Sequence, residues 1–66
     1  MGEARKARFE RYQDEAKEWR WRLLAPNGEI IADSAEGYKR RSGVMGAIAR
    51  VRGYVTDAEV AERVLL

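Results

Sequence analysis

Three consecutive cations, Lys39, Arg40 and Arg41, form the first candidate for a chemical site. They immediately precede a stretch in which apolar residues recur at helical spacing, so they lie at the predicted start of a helix. Free backbone N–H groups and the helix dipole at such a start add to the charge of the side chains, and together they can hold a phosphate group. The alternative interpretation is a solvated connector, because short runs of charge usually lie in solvent.

A second candidate is the alternation of tryptophan and arginine in the run KEWRWRLL. Aromatic side chains interleaved with arginines can bind single-stranded nucleic acid through base stacking and phosphate contacts. In a strand, however, successive side chains point to opposite faces. Trp19 and Trp21 then share one face, which favours a structural role in a core or a dimer interface. Arg20 and Arg22 share the opposite, wet face and are candidate anion-binding residues.

Catalytic chemistry receives little support from the sequence. The chain has no histidine and no cysteine, so it lacks the usual base at neutral pH, a thiolate nucleophile and the commonest zinc ligands. Ser34 and Ser42 have no histidine partner, and no glycine-rich phosphate loop occurs. We therefore expect a protein that is not an enzyme and that uses no metal or cofactor.

Three strands are predicted in the first half of the chain. The runs ARFERYQ and EWRWRLL give the first two, which the polar run DEAKE joins, and EIIAD gives the third. In the second strand Leu23 shares the apolar face with the two tryptophans. Between the second and third strands, APNGE supplies the proline, asparagine and glycine that a hairpin turn requires.

Pro26 bears on the register of the second hairpin. A two-residue Asn-Gly loop would place Pro26 where the ladder needs a hydrogen-bond donor, whereas a type I turn with a glycine bulge makes no such demand. The bulged turn is therefore predicted. In this register Leu23 faces Ile31. Two residues earlier, Trp21 faces Asp33.

One amphipathic helix is predicted from about Arg41, because apolar residues recur at helical spacing at Val44, Ala47, Ile48 and Val51. Gly53 is its predicted stop. The following segment, TDAEVAERVLL, allows two interpretations. Thr56 and Glu59 have the spacing of a capping box, which favours a short second helix.

Composition limits the core and the partners. A chain of 66 residues, 45% hydrophobic and 36% charged, forms one folded domain that buries only roughly 60% of its unfolded surface. Since disulfides are excluded, a second copy of the chain is the simplest added support, and we expect a homodimer. Thirteen Lys and Arg against eleven Asp and Glu give a charge of +2, which is too small to predict nucleic-acid binding from bulk charge.

The N-terminal run MGEARKAR lacks the apolar segment of a signal peptide or a membrane span. We therefore expect a cytoplasmic protein with no membrane partner. Residues 1–6 are a predicted flexible tail, because nothing in their sequence anchors them. Residues 7–60 are the predicted single domain, and residues 61–66 are a C-terminal extension.

The stretch from residue 9 to residue 60 resembles the YegP-like family of small domains of unknown function. The resemblance rests on the F-x-x-Y of Phe9 and Tyr12, the EWRWRL strand, NGEIIA, the S-x-E-G-Y of residues 34–38, and the I-x-x-V of Ile48 and Val51 before DAEV. Members of that family are units of three antiparallel strands and one helix, and single-unit members associate as dimers. The resemblance thus implies a homodimeric α+β domain of order β-β-β-α. It also implies that DAEV is extended and joins a sheet, against the capping-box interpretation.

Two positions depart from the family pattern, and both concern the ends of the helix. Arg40 stands where a capping serine is common, and Tyr54 stands where an asparagine commonly ends the helix. The resemblance therefore does not define where the helix begins and ends, and it supplies no activity.

The sequence as a whole predicts a small homodimeric interaction or accessory module, whose protein partner it does not name. The alternative is an RNA-binding or DNA-binding protein that uses a basic patch at residues 39–41. The candidate anion-binding residues are Lys39, Arg40, Arg41, Arg20 and Arg22. The predicted core or dimer-interface residues are Phe9, Tyr12, Trp19, Trp21, Leu23, Ile31, Tyr38, Val44, Ile48 and Val51.

Overall fold

A computed structural model describes residues 6–65 of the chain. The elements follow in the order β1 (Arg8–Gln13), β2 (Trp19–Leu24), β3 (Ile30–Asp33) and α1 (Arg41–Val55). The strands form one antiparallel sheet in the order β1-β2-β3, and α1 packs on β2 and β1. The predicted sheet of three strands followed by one helix is confirmed. The predicted N-terminal tail falls, except for residue 6, outside the described residues.

The turn between β1 and β2 is organised by the side chain of Asp14. Its Oδ1 accepts hydrogen bonds from the backbone N–H groups of Ala16 and Glu18, at 2.9 and 3.0 Å. Lys17 adopts a φ of 66° in the same turn, a left-handed conformation that is uncommon for a residue other than glycine. Its N–H donates to the carbonyl oxygen of Asp14 at 2.9 Å, and its carbonyl oxygen accepts from Nε2 of Gln13 at 3.2 Å. The polar run that the sequence marked as a connector is therefore an ordered turn.

The turn between β2 and β3 depends on Gly28, which has a φ of +93°. Few residues other than glycine adopt such a φ at low cost. The N–H of Gly28 donates to the carbonyl oxygen of Ala25 at 2.8 Å. Asn27 Oδ1 accepts from the N–H of Glu29 at 3.0 Å, as expected of an asparagine in a turn.

The register of β2 and β3 differs from the prediction beyond the first pair. Leu24 lies opposite Ile30, but Leu23 lies opposite Ala32 because of a bulge that leaves Ile31 without a partner. The predicted pairing of residue 23 with residue 31, and of residue 21 with residue 33, is therefore wrong. Asp33 lies instead opposite Arg22.

The core lies between α1 and one face of the sheet. Trp21, Val44 and Ala47 are buried, and the half-buried side chains packed against them are Phe9, Trp19, Leu23, Tyr38, Ile48 and Val51. The ring of Phe9 meets that of Trp21 edge to face, with 5.6 Å between centroids, a favourable geometry for two aromatic rings. Trp21 is 9% exposed and belongs to this buried cluster.

The helix continues past its predicted stop. It passes through Gly53 and Tyr54 and ends at Val55, so the stop predicted at Gly53 is wrong. A glycine within a helix costs only about 1 kcal/mol relative to alanine, which neighbouring turns can offset. Thr56 is the C-cap, and its hydroxyl donates to the carbonyl oxygen of Arg52 at 3.1 Å.

Residues 58–65 form neither a helix nor a strand and are exposed. The short second helix predicted from the capping-box spacing is wrong, because Thr56 caps the end of α1 and does not begin a new helix. Nor does the segment pair with the sheet of its own chain. Among the described residues, no helix has the length and apolar character that a bilayer crossing requires.

Candidate binding surfaces

The basic segment, defined as residues 39–41, lies on the surface at the start of α1. Tyr38 fixes its position, because the N–H and carbonyl oxygen of Tyr38 exchange hydrogen bonds with Trp19 at 2.8 and 2.7 Å. Arg40 is the N-cap and its side chain makes no capping hydrogen bond. Within residues 6–65, none of the segment's three cations forms an ion pair with a carboxylate.

The two arginines of β2 lie on the face of the sheet opposite α1, and both are paired with carboxylates. Arg20 Nε lies 2.6 Å from Asp14 Oδ2, and Arg22 Nε lies 3.0 Å from Glu10 Oε1. The guanidinium of Arg22 also lies over the ring of Tyr12, 5.0 Å from its centroid. Because these charges are already neutralised, the opposite face offers less to an anion than the basic segment does.

The ion pairs lower the pKa values of the two carboxyl groups. The hydrogen bond from Arg22 lowers the pKa of Glu10, and Arg8, at 3.2 Å, lowers it further. The pKa of Asp14 is lowered by the hydrogen bond from Arg20 and by backbone N–H groups of the turn. Both carboxylates are therefore charged at neutral pH, which keeps the arginines paired.

The side chains predicted for the core or an interface fall into two groups. Eight of them lie in the cluster between α1 and the sheet: Phe9, Trp19, Trp21, Leu23, Tyr38, Val44, Ile48 and Val51. Tyr12 lies instead beneath Arg22 on the opposite face, and Ile31 is 59% exposed. The rings of the tryptophan strand thus face the helix, and they do not form an open stacking platform.

A groove of 590 Å³ runs between β1 and α1. We call it the arginine groove, because three arginines and no carboxylate line it; the lining residues are Ala7, Arg8, Phe9, Arg11, Leu23, Met45, Ile48, Ala49 and Arg52. Its floor is apolar. Arg11 Nη1 lies 2.6 Å from Met45 Sδ, so this arginine reaches across the groove to the helix.

The backbone of β1 is open along the side of the arginine groove. In β2, Trp19 and Trp21 direct their backbone groups toward the β3 side, where they bond to Tyr38 and Ser34. Successive residues of a strand direct their backbone N–H and C=O groups to opposite edges, so the even-numbered residues of β2 direct theirs toward β1. These residues lie opposite the even-numbered residues of β1, whose backbone groups therefore bond to β2. The backbone groups of Phe9 and Arg11 therefore point outward, and no described strand pairs with them.

A smaller cavity of 170 Å³ lies on the other side of α1, toward β3. We call it the aromatic notch; its lining residues are Trp21, Ser34, Ala35, Glu36, Tyr38, Ala47, Arg50, Val51 and Tyr54. Sequence reasoning missed Arg50 and Tyr54. Both fall on one helical stripe with Ala47 and Val51, at spacings of three, four and seven residues, and this periodicity was the available signal.

Comparison with known proteins identifies the family. The family model described as Domain of unknown function (DUF1508) matches residues 14–62. A UPF0339 protein of Treponema denticola is 42% identical over 55 residues, which cover 83% of this chain and 93% of that protein. A UPF0339 protein of Methanosarcina acetivorans is 41% identical over 54 residues, which cover 82% of this chain and 91% of that protein.

A solved structure agrees with the sequence relatives. The NMR solution structure of a protein from Haloferax volcanii is 42% identical in sequence and superposes with a TM-score of 0.80. It covers 89% of this chain, and the match covers 98% of that chain. The resemblance predicted from the motifs is thus confirmed, and the chain belongs to the DUF1508 family of domains of unknown function.

Proposed function

We propose that the chain is a small, non-catalytic interaction module that acts as a homodimer. The observation that carries this proposal is the C-terminal segment, residues 57–65, which is exposed although it contains Val60, Val64 and Leu65. Three exposed apolar side chains within six residues can form one patch, and exposed apolar patches mark sites of association. A second copy of the chain is the simplest partner, because a chain of 66 residues builds only a small core of its own.

The arginine groove offers a complementary surface for this segment. In an extended conformation, Ala58, Val60, Glu62 and Val64 share one face, because alternate residues of a strand do so. Pairing with the open edge of β1 in the partner would satisfy the outward backbone groups of Phe9 and Arg11, as in other cases of strand addition. Val60 would then lie on the apolar floor, and Glu62 would meet the arginines of the groove. The extended DAEV segment that the family resemblance implies fits this arrangement.

Sedimentation equilibrium at micromolar concentration tests the proposal. The wild-type chain should give the mass of two 7.6 kDa chains. Val60→Lys should give the mass of one chain, because a charge replaces the apolar contact. The matched control is Ile30→Lys, which alters an exposed isoleucine on the opposite edge strand and should leave the dimer intact. A wild-type protein with the mass of one chain would remove the proposal.

Nucleic-acid binding by the basic segment is the second function that we propose. The three cations are exposed, and no carboxylate within residues 6–65 neutralises them. A dimer would present the segment twice, so an extended polyanion could engage both copies and gain affinity although the chain carries only +2.

Titration of labelled single-stranded and double-stranded oligonucleotides at low and physiological salt tests this second function. Replacement of Lys39, Arg40 and Arg41 by Gln should abolish binding and flatten its salt dependence. The control replaces two other exposed cations, Lys6 and Lys17, by Gln, and neither of them lies in the C-terminal segment. Equal loss in both variants, or no binding by the wild type at low salt, would contradict the proposal.

A further inference from the structure

Three aromatic side chains line the aromatic notch. Trp21 forms part of its floor and is 9% exposed, whereas Tyr54 on its rim is 68% exposed. Tyr38 lies between these extremes, half-buried. An exposed tyrosine beside a buried tryptophan gives a surface that is apolar at its base and open at its mouth, which suits a planar ring entering from solvent.

Two tyrosines, Tyr38 and Tyr54, line the notch. Among residues 6–65, the one aromatic pair is Phe9 with Trp21. The one guanidinium that lies over a ring in the same range is that of Arg22, which covers Tyr12 on the opposite side of the sheet. Neither Tyr38 nor Tyr54 therefore has a stacking partner among the described residues.

The size of the notch limits what it can hold. Its volume is 170 Å³, whereas sites for drug-sized ligands occupy roughly 300–1,000 Å³. A single flat ring system is the kind of group that fits, and a peptide helix or a bulky ligand does not.

One cation lines the notch, and three more directly follow one of its lining residues in the sequence. Arg50 lines the notch, and the basic segment begins directly after Tyr38. None of these cations pairs with a carboxylate within the described range. Glu36 also lies on the rim, so an anionic group bound here would lie toward Arg50 and Lys39 and away from that carboxylate.

We propose that the aromatic notch binds one unstacked nucleobase, whose phosphate lies against Arg50 and the basic segment. Aromatic rings combined with arginines are the means by which proteins hold single-stranded nucleic acid, because every base offers a flat face for stacking. This inference rests on the second function proposed above. It adds recognition of the base, whereas the basic segment contacts only the phosphate. A free nucleotide carries the same chemistry as a single strand, and the experiment separates the two.

The test uses the full chain with three probes: a labelled oligo-dT of twelve nucleotides, a duplex of the same length, and adenosine monophosphate. Anisotropy gives the affinity, and quenching of intrinsic tryptophan fluorescence reports a base beside Trp21. The single strand should bind at least tenfold more tightly than the duplex at low salt, and it should quench the fluorescence. Saturable quenching by the monophosphate with no preference for the oligonucleotide would identify the free nucleotide as the ligand.

Two variants address the notch itself. Tyr54→Ala should weaken binding of the single strand about tenfold, as expected from the loss of one stacked base, and it should leave the fold intact because Tyr54 is exposed. Arg50→Gln should weaken binding several-fold. Its control is Lys17→Gln, since Lys17 is an exposed cation in the turn between β1 and β2 and lines neither the notch nor the arginine groove, and this control should bind as the wild type does.

The outcomes distinguish binding of a base in the notch from nucleic-acid binding by the basic segment alone. If the triple Gln variant of the basic segment loses binding while Tyr54→Ala binds normally, nucleic-acid binding stands and the notch is overturned. Equal affinity for the single strand and the duplex, without quenching, would overturn the notch in the same way. If none of the three probes binds at low salt, both proposals fail.

Discussion

The side chain of Ser34 accepts a hydrogen bond from the backbone N–H of Trp21, with 3.2 Å between Oγ and N. The backbone N–H of Ser34 in turn donates to the carbonyl oxygen of Trp21 at 2.9 Å. Ser34 is 6% exposed. This reciprocal contact satisfies backbone groups beside the core and extends the pairing of β2 one residue beyond the end of β3.

Ser34→Ala should lower the free energy of unfolding by about 1–3 kcal/mol, because the buried N–H of Trp21 would lose its acceptor. Urea denaturation of a purified variant measures the change. Ser42→Ala is the control, since Ser42 is exposed on α1 and should change stability by no more than about 0.5 kcal/mol. Equal stability of the two variants would show that the contact contributes nothing.

Trp21→Ala should lower the free energy of unfolding by about 3–5 kcal/mol, because it empties the centre of the core. A loss of this size is a large fraction of the stability of a small domain, so Trp21→Phe provides a milder second variant with a smaller expected cost. Thermal unfolding followed by circular dichroism measures both. A Trp21→Ala protein that melts at the wild-type temperature would show that the ring is not structural.

Alanine substitutions at two glycines should have opposite signs. Gly28→Ala should destabilise the chain by about 1–2 kcal/mol, because a φ of +93° brings Cβ into conflict with the backbone. Gly53→Ala should stabilise it by about 1 kcal/mol, since Gly53 lies within α1 and an added Cβ would meet no atom within 4 Å. Melting temperatures that move in the same direction would contradict this assignment.

Acid should weaken the sheet through Asp14 and Glu10. Their pKa values are lowered in the folded chain by Arg20 and Arg22, so the unfolded chain binds protons more readily. The resulting stabilisation is present above the unfolded pKa of about 4 and is lost as pH falls through the lower folded values. Asp14→Asn should flatten this loss, measured by urea denaturation from pH 6 to pH 2, whereas Glu15→Gln, on an exposed side chain, should retain it.

Exchanging two charges tests whether the C-terminal segment binds in the arginine groove. Arg11→Glu and Glu62→Lys should each weaken the homodimer, because each places like charges together in the arginine groove. A variant that carries both changes should recover much of the lost association. Sedimentation of the three proteins at one concentration measures this, and a double variant weaker than either single variant would place the segment elsewhere.

The elements could be predicted from local periodicity, because that property belongs to the sequence itself. Alternation places Trp21 toward the core, and the helical spacing of Val44 and Ala47 places α1 above it. The register of β3 could not be predicted in the same way. It depends on the bulge at Ile31 and on the bonds that Ser34 makes beneath the helix, and these are tertiary contacts.

The candidate sites show the same division. The alternation of side chains along β2 predicted that Arg20 lies on the face opposite the tryptophans. The ion pair of Arg20 with Asp14, however, depends on how the turn between β1 and β2 folds. The stripe that holds Arg50 and Tyr54 was visible in the sequence as helical spacing. Its position beside Tyr38 arises only when the connector pairs with Trp19, and no local pattern contains that information.

The charges at the start of α1 give the helix a response to salt that differs from that of the sheet. Arg40 and Arg41 lie at the positive end of the helix dipole, and the first turn contains no acidic residue, so the N-terminus is electrostatically unfavourable. Added salt screens this repulsion, while it also weakens the attraction between Arg20 and Asp14. Rising ionic strength should therefore slow hydrogen exchange in the first turns of α1 and accelerate it in the turn that follows β1.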